Sequence, residues 1–240
     1  MTDKIEISQL IVQLNEKQRQ IAQQLDTGND QMRGLAKRVW RVQEDERKHI
    51  ARELHDGVGQ LLTALINQLQ QTQKNNEGND LTTSIELARQ ALADTRTLSR
   101  LMRPRILDDL GLIPALEWLV RIMAEPESLT IDLHHQVNYT LDADMQTLAF
   151  RVIQEALTNA IKHANAELIS VNLIATQGFF MIKVKDNGIG MDITNKTADT
   201  GFGLSAMKDR VAAFGGHLTI ATQPSLGCEI KVLVTGKEAT

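Results

Sequence analysis

Cysteine is almost missing from this chain: Cys228 stands alone among 240 residues. One thiol excludes an intrachain disulfide framework and any multi-cysteine metal site, and it fits a reducing compartment, with Cys228 as a small apolar filler in a strand. Aromatic residues make up only 3%, so Leu, Ile, Val, Ala and Met must pack the interior. At 42% hydrophobic residues there are enough of them for one or two domains with a sizeable core. No apolar run approaches the ~18 residues of a membrane span, and Met1-Thr2-Asp3-Lys4 opens no apolar signal core. A soluble, cytoplasmic chain is the expectation. Long Lys/Arg runs are also lacking and the formal net charge is -4, which argues against nucleic acid as a direct ligand.

What is present begins with a charged stretch over 44–61. Ile50, Leu54, Val58, Leu61 and Leu65 recur every three or four residues, the spacing of an amphipathic helix with one buried seam. His55 follows Leu54 and so sits about 100° round the helix, beside the seam and within reach of solvent. Asp56 and Gln60 are four apart and share a face, placing an acid and an amide beside the imidazole. A carboxylate that accepts one ring N–H holds a single tautomer and leaves the other nitrogen free to attack an electrophile. Upstream, Leu10, Leu14, Ile21, Leu25, Met32, Leu35, Val39 and Val42 are spaced by threes, fours and sevens, a coiled-coil-like helix whose phase is shifted at Gly28-Asn29-Asp30. It is either a solvated spacer or a rod that carries a signal into the His55 helix. Downstream, Leu81, Ile85, Ala88, Leu92, Thr95, Ser99 and Met102 form a second heptad helix that cannot run past Pro104. Two such helices make a hairpin that cannot cover its own seam, so a homodimeric four-helix bundle is expected. Arg96, Arg100, Arg103 and Arg105 read as a solvated or acid-paired helix end.

After Pro104 the texture is that of an α+β sandwich, one sheet with helices on one face. Asp108 to Pro114 turn into a helix carrying Leu116, Leu119, Val120 and Met123. A strand is expected over 129–137, a helix over 144–165, two paired strands through Ile169–Leu173 and Phe180–Val184, a helix over 203–214, and strands over 217–222 and 228–234 about a turn at Pro224 to Gly227.

Three stretches of this half carry polar chemistry. Glu155, Asn159 and His163 are four residues apart on one helical stripe. The Asn159 amide oxygen suits Mg²⁺, and Lys162 and His163 could meet phosphate charge. Asp186-Asn187-Gly188-Ile189-Gly190 ends a strand. There Gly188 and Gly190 let backbone turn tightly against a planar ligand, and Asp186 can accept from an amine such as adenine N6. Gly201-Phe202-Gly203-Leu204 opens a helix, presenting free N–H groups and the positive end of the dipole to a polyphosphate. The polar segment 191–200 between them reads as a lid. Each piece has an ordinary alternative as turn or solvated face; their joint occurrence in this order favours a nucleotide site.

These residues carry a resemblance. Residues 144–236 resemble the GHKL-type ATP-binding domain, with Asn159 in its N box, Asp186 to Gly190 as its first glycine box and Gly201 to Leu204 as its second. Residues 44–61 resemble the phosphoacceptor box of bacterial two-component sensor histidine kinases, in the branch of nitrate sensors and membrane-fluidity sensors, through Arg52-Glu53-Leu54-His55-Asp56 and Gly59-Gln60. Arg103-Pro104 to Leu116 is similar to that branch as well. The resemblance covers roughly 44–236 and implies a dimerisation and histidine phosphotransfer domain over 44–103 and a catalytic ATP-binding domain over 104–240; the coiled-coil pattern before it makes 1–43 an N-terminal helical signalling segment. The resemblance further implies ATP and Mg²⁺ as cofactors, the latter on Asn159 with Glu155 as metal partner or base. Asp186 would recognise adenine, and Gly201 and Gly203 would bring backbone amides to the phosphates. His55 would be phosphorylated and pass the phosphoryl group to an aspartate of a response regulator of helix-turn-helix type, with Gln60 orienting a water that removes it again. No sensory module is recognisable in 1–40, so the chain is either the cytoplasmic part of a longer kinase or a kinase without a sensor. Three rivals share parts of this pattern: a GHKL ATPase in which Glu155 activates water, a serine kinase of the anti-sigma-factor type, and an ATP-binding scaffold without phosphotransfer.

Overall fold

The computed structural model describes residues 28, 30–75, 80–124, 129–190 and 202–235. A long helix, α1, covers 30–53 and passes through a π-helical turn at Leu54–Val58 into α2 (Gly59–Asn75). The rod therefore runs unbroken from residue 30 through His55. Asp80 accepts the Thr82 N–H at 3.0 Å to start α3 (Thr82–Met102), which returns along α2. Arg103 is extended, as a residue before proline must be, and two helices follow, α4 (Arg105–Asp109) and α5 (Leu112–Ala124). The short α4 has no counterpart in the sequence reading, because five residues are too few for a periodicity.

The remaining elements are β1 (Thr130–Val137), α6 (Ala143–Asn159) with a π-turn at Ala160–Ala164, β2 (Leu168–Ala175), β3 (Phe179–Asp186), α7 (Phe202–Ala213), β4 (Gly216–Thr222) and β5 (Cys228–Thr235). They build one sheet in the order β1-β2-β3-β5-β4. β1 and β2 are parallel, joined by the α6 crossover, and every other pair is antiparallel. Ile169, Val171, Leu173, Ile182 and Val232 point into the core at every second position, and Phe150, Leu116, Leu119, Leu148, Ile153 and Met207 from α5, α6 and α7 cover them. This is the expected α+β sandwich behind a helical hairpin. Asp142 starts α6 by accepting the Met145 N–H at 2.7 Å. Asn165, in the left-handed region at φ 49°, ends the π-turn that closes it.

In the hairpin α3 buries its expected stripe, Ile85, Ala88, Leu92 and Ser99, whereas the arm that carries His55 departs from expectation in which face it buries. Ala51, Gly59, Ile66, Ala88 and Leu92 lie inside, whereas the anticipated seam faces out: Val58 is 42% exposed, Leu61 72% and Leu65 44%. The hairpin needs small residues where its two helices approach, so Ala51, Gly59 and Ala88 take the inner face and the larger apolar stripe is left outside. Met32, Leu35, Val39 and Val42 continue that exposure along α1, while Leu10 to Leu25 lie outside the described residues. Among the described residues no helix is long and apolar enough to cross a membrane.

Candidate functional site

A cavity of about 310 Å³ opens between α6, the end of β3, the start of α7 and β5. Its wall includes Asn159, His163, Asp186, Gly190, Gly203 and Leu204, so six residues singled out from three separate stretches meet in one place. Asp186 is buried at the end of β3, and its Oδ1 accepts the N–H groups of Gly188 at 2.9 Å and Cys228 at 3.3 Å. Those two bonds fix the carboxylate and leave Oδ2 for the cavity. Asn187 serves a different purpose: its Oδ1 accepts the N–H groups of Glu167 and Leu168, both at 3.0 Å, tying the turn to the start of β2.

The glycines are required by close approach. Gly190 has φ +66°, and a Cβ there would run into the Gln223 carbonyl. At Gly188 the collision would be with the Ala164 carbonyl, so this glycine seats the turn on α6 and does not line the cavity. A side chain at Gly203 would meet the Glu155 carboxylate. Glu155 is thus held at the first turn of α7, where its Oε1 also receives the Asn159 amide at 3.3 Å. Asn159 brings one hard oxygen donor to the cavity wall, and Glu155, which does not line the cavity itself, stands behind it at the first turn of α7. That donor set fits Mg²⁺ carried by phosphate oxygens, which needs only one or two protein ligands. Among the described residues no group of three or more His, Cys, Asp or Glu forms a metal cage of its own.

Not every expected residue gathers here. Lys162 is exposed on the π-turn and does not line the cavity: the wider turn rotates it away while keeping His163 in place. Gly201, and the lid expected over 191–200, lie outside the described residues, and Phe202 is described only as the first residue of α7. Cys228, read as filler, lines the cavity next to Asp186. Burial and the neighbouring carboxylate push its thiol up to about 11, so it is a neutral wall atom. Only the alternation of its strand could have signalled this.

The second polar site lies on the hairpin. His55, Asp56, Gly59, Gln60, Thr63, Ala64, Asn67 and Arg96 line an open groove of about 360 Å³, and His55 is exposed on the π-turn. Asp56 does not hydrogen-bond to the imidazole: consecutive helical residues do not face each other, and its carboxylate instead pairs with Arg105 at 3.6 Å. Arg96 from α3 completes the groove. The sequence reading placed it at a solvated helix end, without the register that turns it toward His55. Ser99, a turn further on, is buried and donates to the Ala51 carbonyl at 2.7 Å, anchoring α3 to α1 one turn before the histidine. Among the described residues, none of 129–235 lines the His55 groove and none of 30–102 lines the cavity.

Comparison with known proteins adds to this geometry. Residues 46–107 match a family model described as histidine kinase, and residues 144–237 one described as histidine kinase-, DNA gyrase B-, and HSP90-like ATPase. The signal transduction histidine-protein kinase/phosphatase DegS of Brevibacillus brevis is 30% identical over 90% of this chain and 58% of its own length. The oxygen sensor histidine kinase NreB of Staphylococcus carnosus is 32% identical over 81% of this chain and 58% of its own. The chain thus spans somewhat over half the length of these relatives. Among solved structures, the histidine kinase domain of the Erythrobacter litoralis EL346 blue-light activated histidine kinase is 17% identical, with a TM-score of 0.46 over 72% of this chain and 95% of that one.

Proposed function

Because residues 46–107 belong to the histidine kinase family and residues 144–237 to the histidine kinase-, DNA gyrase B- and HSP90-like ATPases, we propose that the protein is an ATP-dependent protein-histidine kinase that phosphorylates itself on His55. One observation carries the reading: a single chain holds an exposed imidazole in a polar groove on a stiff helix, and a nucleotide-sized cavity with a buried carboxylate, glycine-lined walls and a helix N-terminus. A bare GHKL ATPase would have no use for the first.

ATP is the substrate. The free oxygen of Asp186 accepts from the adenine amine, and Gly190, at φ +66° and packed against the Gln223 carbonyl, holds the turn that lines the ring's site. The phosphates lie toward Gly203, whose amide is at the first turn of α7. Mg²⁺, held by the Asn159 amide oxygen and Glu155, supplies charge neutralisation at the phosphates when bound. A ring nitrogen of His55 then attacks the γ-phosphorus in line. The N–P bond forms, the bond from phosphorus to the β,γ-bridging oxygen breaks, ADP leaves, and the proton on the other ring nitrogen is lost to water. The protein contributes position and a preorganised field, since phosphoryl transfer needs little covalent help.

The phosphoryl group passes next to an aspartate of a response regulator, of helix-turn-helix type, that docks on the same groove. Gln60, whose amide does not titrate, orients the water that removes it again; the similarity to the Brevibacillus kinase/phosphatase supports this second activity. The outward stripe of Val58, Leu61 and Leu65 supports a homodimer in which a second hairpin covers it. The cytoplasm is the compartment where ATP and the regulator are found. Protein incubated with γ-labelled ATP and Mg²⁺ should become labelled in acid-labile, base-stable form. Free phosphate without protein label would identify an ATPase, and bound but unturned ATP a scaffold. Gln60→Ala should keep the label and lose dephosphorylation of the regulator; equal loss of both would refute the division of labour.

A further inference from the structure

The two helices of the hairpin do not count alike. α3 buries Ile85, Leu92 and Ser99, seven residues apart at each step, the spacing of a helix that keeps one seam against its partner. The helix it packs on buries Ala51, Gly59 and Ile66, which are eight and then seven apart. The two faces meet in that order. The Ser99 hydroxyl donates to the Ala51 carbonyl at 2.7 Å, Leu92 Cδ1 stands 3.9 Å from where a Cβ of Gly59 would be, and Ile66 packs with Ala88 and Leu92. Between the first two contacts, eight residues of one helix therefore face seven of the other. The extra residue is taken up in the π-turn at Leu54–Val58, where the Gly59 N–H donates to the Leu54 carbonyl five residues back, not four. His55 lies in that turn, and Arg96, between Leu92 and Ser99 on α3, lines the groove beside it.

We propose that α3 forces the wide turn that aims the phosphoacceptor, because its contacts at Ser99 and Leu92 span one residue fewer than the chain opposite, and that Ser99 is thereby a positioning residue for His55. In a regular helix the Ala51 carbonyl is the acceptor of the His55 N–H itself. A buried hydroxyl on that carbonyl is a side chain set into the ladder, one of the causes of local distortion in a helix that would otherwise run straight. Gly59, at the other end, lets Leu92 close on the backbone. With both ends tied the chain cannot straighten, since an α-helical turn here would rotate Gly59 about 100° away from Leu92. Gly57 is the surplus residue: a Cβ there would meet nothing within 4 Å, and it lines neither the groove nor the core. Without it Ala51 and Gly59 would stand seven apart, both contacts to α3 would be kept, and the helix would run straight past His55. The ring would then face Gln60 and Arg96 differently, and the groove built around the wide turn would be lost.

The proposal rests on His55 being the phosphoacceptor, and the test separates the two. In the full chain, deletion of Gly57 should leave the melting temperature at or above that of wild type, since both contacts to α3 persist and a helix-interior glycine is gone. The same deletion should lower the rate of labelling from γ-labelled ATP about tenfold or more. Gly57→Ala, which keeps the count of eight, should melt at least as high as wild type and label at the wild-type rate. Ser99→Ala, which unties one end, should label about three-fold more slowly at an unchanged KM for ATP, and Ser99→Thr, which keeps the hydroxyl, should restore the rate. A deletion variant that labels as fast as Gly57→Ala, or one that melts well below wild type, overturns the proposal. So does a Ser99→Ala variant that labels like wild type. A wild type that takes no label overturns the kinase reading instead, and the melting temperatures still decide whether residue 57 is surplus.

Discussion

Asp186 keeps a carboxylate in the core because its Oδ1 is satisfied by the Gly188 and Cys228 amides, and its remaining oxygen is the acceptor that the nucleotide proposal needs. Replacing it by Asn should preserve the fold, since an amide oxygen can still receive both N–H groups. The NH₂ would then meet an amine donor to donor, and losing a charge-assisted bond should weaken ATP binding about tenfold or more, read by calorimetry with the melting temperature as control. Unchanged affinity would remove Asp186 from adenine recognition. Cys228 offers a pH test of the same wall. Its thiol is raised to about 11, so the thiolate fraction at pH 8 lies far below that of a free cysteine. Iodoacetamide should therefore react slowly and keep accelerating past pH 10, and ATP should protect; a rate that levels off near pH 9 would contradict the burial. Asp186 and the glycines were legible because an acid between glycines at a strand end has few ordinary uses. The Asn187 bonds and the Cys228 wall were not, because they depend on which loop lies across from them.

Among the elements, the helices were readable from their periods, and α3 buries Ile85, Ala88, Leu92 and Ser99 as its heptads require, yet the face buried by the helix that carries His55 was not readable. A heptad stripe shows that two surfaces must meet without showing whether the partner lies in the same chain, and here the small residues Ala51, Gly59 and Ala88 claim the inner contact. The outward stripe should therefore need a second copy: Leu61→Asp with Leu65→Asp should convert a dimer to a folded monomer in sedimentation, while a double variant that stays dimeric would place the interface elsewhere. The π-turn at Leu54–Val58 was equally invisible, since one residue more per turn leaves the apolar spacing almost unaltered. It presents His55 and is backed by the buried Ser99 hydroxyl on the Ala51 carbonyl. Ser99→Ala should cost about 1 kcal/mol, seen as a lower melting temperature; no change would mean that water replaces the hydroxyl.

For the whole molecule, the order of elements from β1 to β5 follows from alternation and turn chemistry, and one parallel crossover through α6 closes the sheet. What no periodicity could show is how the hairpin and the sandwich sit together. Glu44, Arg103 and Arg151 are ordinary charged residues in sequence and become a buried cluster only because α1, the linker and α6 converge. Two sites thus lie in one chain without touching, a cavity suited to ATP and a groove around His55, and the claim that matters most is that a phosphoryl group crosses from one to the other. The most direct measurement is to incubate wild type and His55→Gln side by side with γ-labelled ATP and Mg²⁺ and to follow label retained on the protein. Wild type should become labelled, with the label mapped to the peptide holding His55, and His55→Gln should stay blank although it binds ATP as well; label on the variant, or on another peptide of the wild type, would contradict the account.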